Sequence, residues 1–104
     1  MANDQIRQLK ADLLKALGQP TRLKILELLV DGERCVCEIF PAIQEEQSNI
    51  SKHLAFLRGQ GIVIAERRGM RVFYRLTDKR VVKLLEDAEV YLKAALKVKA
   101  SLVA

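Results

Sequence analysis

Gln47-Ser48-Asn49-Ile50-Ser51-Lys52-His53-Leu54-Ala55-Phe56-Leu57-Arg58, running on to Gly61-Ile62-Val63, is the stretch that decides the fold. Ile50, Leu54 and Leu57 recur at helical spacing and give a helix its core face. Gln47, Ser48, Asn49, Ser51, Lys52 and His53 carry groups able to hydrogen-bond bases, and they are expected together on one other face. The pattern reads as a DNA-reading helix leading into a β-hairpin. Just upstream lies Cys35-Val36-Cys37, with the only two cysteines of the chain. A DNA reader with a dithiol beside it implies a switch, with thiol chemistry as input and release from DNA as output.

Upstream, Asn3 or Asp4 is expected to cap a first helix whose apolar residues are Ile6, Leu9, Leu13, Leu14 and Leu17, ending at Gly18. Pro20 opens a second helix at a position where its missing N–H does no harm. Leu23, Ile25, Leu26, Leu28 and Leu29 face inward there, and Asp31-Gly32 stops it. A short third helix is expected from Cys37 to Ile43, with Pro41 in or near it. The fourth runs from Glu46 or Gln47 to Arg58 and ends at Gly59-Gln60-Gly61. Val63 to Arg67 and Arg71 to Leu76 read as strands around Arg68-Gly69-Met70, where the glycine permits the turn. Thr77 or Asp78 caps a last helix reaching towards Lys99. Its stripe of Val81, Leu84, Leu85, Ala88, Tyr91, Leu92, Ala95 and Leu96 is too long for a small domain to cover alone, so a second subunit is its expected cover. Short helices followed by a hairpin predict a mainly α, dimeric winged helix-turn-helix, one domain over residues 1–104.

The 104 residues suffice for one core and not for two. The formal charge of +5 favours a polyanionic partner, although an ordinary basic surface would give the same total. Location separates the two. Between Glu46 and Arg75 stand Lys52, Arg58, Arg67, Arg68, Arg71 and Arg75 against only Glu46 and Glu66, so the excess lies in the segment with the reading pattern. Two cysteines at this spacing do not make a secreted disulfide framework, and a bond between them would close a small ring. Met1 to Gln5 holds no basic lead into an apolar run, and no stretch reaches membrane-spanning length. A cytoplasmic protein with reduced thiols is the expectation. No Gly-rich phosphate loop or nucleophile–His–acid set is present, and Glu38, Glu45 and Glu46 are scattered carboxylates, so no enzyme is read.

Four blocks, in order, resemble the ArsR/SmtB family of bacterial metalloregulatory repressors. They are Ala16-Leu17-Gly18-Gln19-Pro20-Thr21-Arg22-Leu23-Lys24-Ile25-Leu26, Cys35-Val36-Cys37-Glu38-Ile39, Gln47 through Leu54, and Arg67-Arg68-Gly69-Met70-Arg71-Val72-Phe73-Tyr74-Arg75-Leu76. The resemblance implies a homodimer joined through its first and last helices, bound to an inverted-repeat operator in double-stranded DNA, and repressing until a toxic ion binds. It is strongest to the arsenic-responsive branch, which carries Cys-Val-Cys at the start of the third helix. A third cysteine often follows there; Phe40 stands in that place. The zinc branch uses histidines and carboxylates on the last helix, where this chain has Asp87 and Glu89 but no histidine.

Two thiolates, Cys35 and Cys37, suit a thiophilic centre such as As(III) or Sb(III), acting as inducer; DNA binding itself needs no cofactor. A third position on As(III) is then left to hydroxide, an exogenous thiol or an oxygen ligand, whereas an organoarsenical needs only two sulfurs. The bland alternative makes both cysteines small buried apolar residues. In regular helix, positions i and i+2 face apart, so joint ligation is expected to require a frayed first turn in the third helix. That helix is expected to pack directly against the reading helix and to carry the signal there. Arg34 and the helix N-terminus should favour thiolate. His53 reads as a phosphate or base contact rather than a ligand. Lys52, Arg68 and Arg71 are expected mainly on phosphates, and Phe73 and Tyr74 in hairpin packing. Two other readings stay open: a winged-helix repressor sensing oxidant or persulfide through the same cysteines, and a metal-buffering module that does not bind DNA.

Overall fold

The computed structural model describes residues 2–103; Met1 and Ala104, the two ends of the expected 1–104 domain, lie outside the described residues. Five helices and three short strands follow one another as α1 (Ala2–Leu17), α2 (Pro20–Leu28), β1 (Arg34–Cys35), α3 (Val36–Ile43), α4 (Gln47–Gly59), β2 (Val63–Arg68), β3 (Arg71–Leu76) and α5 (Arg80–Val103).

The boundaries have local causes. α1 begins before the expected cap, so Asn3 and Asp4 lie inside it; Asp4 complements the helix dipole in the first turn and pairs with Arg7 at 2.8 Å. Gly18 closes α1 by donating its N–H to Leu14 O at 2.9 Å, and a Cβ there would stand 3.0 Å from that carbonyl oxygen. Gln19 caps α2 by accepting the Arg22 N–H at 2.8 Å, with Pro20 as the first helical residue. α3 begins one residue earlier than expected and closes on Gln44 in the left-handed region, at φ 60°. Asp78 starts α5 by accepting the Arg80 N–H at 2.9 Å.

Ile25, Leu26, Leu29, Ile39, Ile50, Leu54, Leu57 and Val63 form the buried centre, with Tyr74 and Leu76 from the wing. Each such side chain taken from water contributes roughly 1.5–3 kcal/mol. α4 packs chiefly on α2 and β2. α3 shares the core with α4, but its principal neighbours are α2 and β3. α3 thus meets α4 through the shared core, and its first residues are held by the sheet as well.

That sheet has an unexpected third member. β1 adds to the hairpin in the antiparallel order β1-β3-β2, with Arg34 opposite Tyr74 and Cys35 opposite Phe73. Two residues of strand leave no periodic signature, so only the pairing reveals it. The hairpin runs in register from Val63 opposite Leu76 to Arg68 opposite Arg71, with Gly69 at φ 63° in the two-residue turn.

The arms differ from this core. Ile6, Leu9 and Leu14 of α1 stand exposed, as do Leu84, Tyr91, Leu92 and Leu96 of α5, with Tyr91 at 72 %. Among the described residues no helix is long and apolar enough to cross a membrane.

Candidate nucleic-acid interface and its cysteine pair

α4 turns Ile50, Leu54 and Leu57 inward. Gln47, Ser48, Ser51, Lys52 and Ala55 are exposed. Asn49 and His53 are not on this outer face; both are half-buried on the flank towards α2. The Asn49 amide donates to Glu45 Oε1 at 2.8 Å. Both Glu45 oxygens lie within reach of the Thr21 hydroxyl, at 2.9 and 2.8 Å. His53 Nδ1 accepts from Arg22 Nε at 3.1 Å, and the same guanidinium lies 3.8 Å over the Phe56 ring and donates to Ala16 O at 3.3 Å. Because arginine only donates, His53 is the tautomer with its proton on Nε2. Burial, then the positive charge of Arg22, lowers the His53 pKa, while Glu45 opposes them. The Thr21 hydrogen bond is the main cause of the lowered Glu45 pKa, with Asn49 and Lys24 adding to it against partial desolvation.

The wing also departs from expectation. Arg68, expected on phosphate, is clamped between two carboxylates: it donates to Glu33 Oε2 at 2.8 Å and from Nε to Glu66 Oε2 at 2.8 Å. Its guanidinium lies 4.7 Å over Phe73. The two carboxylates hold its pKa above the ordinary arginine value, and Arg68 in turn lowers that of Glu33. Arg71, across the turn, is exposed, and among the described residues it makes no ion pair. Arg67 and Arg75 are likewise exposed.

Cys35 is the N-cap of α3, in extended backbone at φ −66° and ψ 142°, and is 2 % exposed; Cys37 is the second residue of the helix and faces solvent. Their sulfurs are joined in a disulfide, with the Cα atoms 5.1 Å apart. The pair expected as reduced thiols is thus bonded, and the expected fraying is unnecessary. An N-cap lies outside the helical turn, and its side chain folds back over the first N–H groups. Here Cys35 Sγ accepts the Cys37 N–H at 3.2 Å, and Glu38 Oε1 accepts the Cys35 N–H at 3.0 Å, a reciprocal capping box. Arg34, expected to act on the thiols, donates to Leu28 O at 3.2 Å and pairs with Glu38 at 3.6 Å. Phe40 packs against the core. Among the described residues no group of three His, Cys, Asp or Glu side chains could hold a metal ion. Asp87 and Glu89 of α5 pair with Lys83 and Lys93, at 3.2 and 3.3 Å.

Sequence reasoning missed Thr21, Arg22, Glu33 and Glu45. Their roles depend on partners 24 to 35 residues away in the chain, which no local pattern encodes.

The α3–α4 pair on a packed α2, followed by a hairpin with a basic tip, defines a winged helix-turn-helix DNA-binding protein. Residues 19–65 match the family described as "Bacterial regulatory protein, arsR family". The arsenic resistance transcriptional regulator ArsR2 of Pseudomonas putida is 38 % identical over 84 residues, covering 80 % of this chain and 73 % of that protein. The HTH-type transcriptional repressor SmtB of Mycobacterium tuberculosis is 37 % identical over 84 residues, covering 81 % of this chain and 62 % of that protein. A solution structure of a homodimeric winged helix-turn-helix DNA-binding domain from Mycobacterium bovis superposes with a TM-score of 0.80 at 33 % identity, covering 91 % of this chain and 88 % of that one. The chain belongs to the ArsR family of bacterial transcriptional regulators.

Proposed function

We propose that this chain is a homodimeric repressor of an arsenical-resistance operon, released from an inverted-repeat operator when As(III) or Sb(III) takes both sulfurs of the reduced Cys35–Cys37 pair. The observation that carries it is the convergence of the two sulfurs at the N-cap of α3, on a segment hydrogen-bonded to the wing strand β3. Once reduced, the two neighbouring thiols are soft donors that suit a thiophilic centre. Cys35 and Cys37 supply two ligands, and Phe40 supplies none, so water, a small thiol or the carbon of an organoarsenical completes the coordination.

Release then follows from position. Cys35 lies opposite Phe73, and Glu33, two residues before it, holds Arg68. A rearrangement of the Cys35 side chain acts on the N-cap, the β1–β3 pairing and the wing together. Coupling requires only that the ligand bind the DNA-free form more tightly. Gln47, Ser48 and Ser51 face outward to read bases in the major groove, and Lys52 and Arg71 neutralise phosphates. The exposed apolar faces of α1 and α5 join the two protomers, as the homodimeric relative supports.

The bonded state of the cysteines supports a second reading, in which an oxidant or persulfide is the input. Fluorescence anisotropy of the reduced protein on its own promoter duplex separates them. Release by arsenite but not zinc, with no response to mild oxidation, is the result expected of the first. Release on oxidation alone would establish the second. Absence of any sequence-specific binding would leave the metal-buffering module.

A further inference from the structure

We infer that Thr21, Glu45 and Asn49 form a latch that sets the seat of α4 on α2, and that Asn49 governs base selectivity through Glu45 rather than by touching a base. This rests on the reading of α4 as the helix that enters the groove.

Thr21 is 5 % exposed, and among the described residues it is the one buried polar side chain in the core. It is the second residue of α2, whereas Glu45 stands in the turn before α4 and Asn49 in the first turn of α4. The three therefore bridge α2 and the start of α4, a junction that the Lys24–Glu45 and Arg22–His53 pairs also span. An ionised carboxylate only accepts hydrogen bonds. Asn49 must turn its amide nitrogen to Glu45, which fixes its orientation by chemistry rather than by choice of rotamer. Lys24 adds a cation 3.8 Å from the other carboxylate oxygen.

The N-terminus of α4 needs such a tether. Glu46, its N-cap, makes no side-chain capping bond. The first turn is held instead by Glu45 to Asn49, four residues apart, and through Glu45 by α2. Ser48 precedes Asn49 and Lys52 lies one turn beyond Ser48, both exposed. A change in tilt at Asn49 therefore displaces the outward stripe. Hydrogen bonds from short side chains to base edges fail with small displacements, whereas long cations follow a phosphate. Loss of the latch should erase discrimination while leaving phosphate contacts in place. A merely stabilising contact would instead lower binding to all duplexes alike, or only the melting temperature.

The test uses the full-length reduced protein and duplexes selected by it from a randomised pool. Base preference, affinity for an unselected duplex, and salt dependence are measured for the wild type and for Thr21→Val, Thr21→Ser, Glu45→Gln, Asn49→Ala and Ser48→Ala. Thr21→Val and Glu45→Gln should each cut the ratio of selected to unselected affinity about tenfold, the scale of one charge-assisted hydrogen bond, with the salt slope unchanged. Thr21→Ser, which keeps the hydroxyl, should stay within about twofold of wild type. Asn49→Ala should flatten the whole preference profile, and Ser48→Ala only one or two base pairs. The inference is overturned if Asn49→Ala erases preference at one or two positions while Glu45→Gln leaves the profile intact, or if Thr21→Ser fails to rescue. A wild type that selects no sequence from the pool would instead remove the DNA-reading function on which the latch rests.

Discussion

The reading helix and the wing are anchored by different physics. α4 rests on Ile50, Leu54 and Leu57 in a dry core and on two polar ties to α2, one through buried Thr21 and one through Arg22. The wing tip rests on Arg68 between Glu33 and Glu66, all solvent-exposed, with Met70 standing clear beyond them. Buried contacts resist salt and displacement, whereas exposed ion pairs contribute little and are screened. The helix is thus held mainly by buried packing, and the wing tip by exposed pairs that salt can screen. The cysteine pair lies on the wing side, joined to β3 by strand pairing and to Arg68 by way of Glu33.

The harshest way to break the contrast is in the core. Leu54→Ala, at a site 1 % exposed, should cost about 2–5 kcal/mol in urea unfolding and abolish DNA binding with it. No surface substitution on the wing should approach that. A loss under about 1 kcal/mol would mean α4 is not seated as described.

Next in size is the signal. Cys37→Ser, at an exposed position, should leave operator affinity near wild type and eliminate release by arsenite, seen as a flat anisotropy titration. Cys35→Ser should also eliminate release, but it replaces a buried sulfur, so a lower unfolding midpoint is expected too. Loss of DNA binding in Cys37→Ser would make the pair structural.

On the helix side, His53 offers a milder probe. Its pKa lies below the ordinary histidine value of 6.5, so the folded state prefers it neutral. The stability this gives is fully present above that ordinary value and is lost as pH falls through the lowered pKa. Denaturant unfolding should therefore show a decline in stability below about pH 6.5 that His53→Gln removes. A decline that persists in the variant would assign it to carboxylates such as Glu45.

The sequence carried the parts that repeat. Helical spacing located α2, α4 and α5, and alternation with Gly69 located the hairpin, because each is a local pattern over many residues. It could not carry β1, whose two residues are a strand only by pairing with β3. The site divides in the same way. Ser48 and Lys52 are four residues apart and share a stripe; Asn49 and His53 are also four apart, on the next stripe round, about 100° away. The difference was present in the spacing, but which stripe faces α2 depends on how α2 and α4 pack. Arg68 was legible as a cation and not as a clamped one, because Glu33 lies 35 residues away.

Glu33→Gln gives the smallest effect on the fold and the finest test of the wing. The pair is exposed, so unfolding free energy should change by less than about 1 kcal/mol. DNA binding should nevertheless move, and upwards. With Glu33 neutral, Arg68 keeps only Glu66 as a charged partner, and its guanidinium competes less for carboxylate and more for phosphate. Affinity for operator and unrelated duplex should rise together, and the slope of log affinity against log salt should steepen by up to about 0.9, the share of one added phosphate contact. Arg71→Ala should do the reverse, weakening both duplexes and flattening the slope by about 1. If Glu33→Gln leaves the slope unchanged while Arg71→Ala reduces it, Arg68 serves the wing's internal structure alone. The wing would then contact DNA through Arg71 without drawing on Arg68.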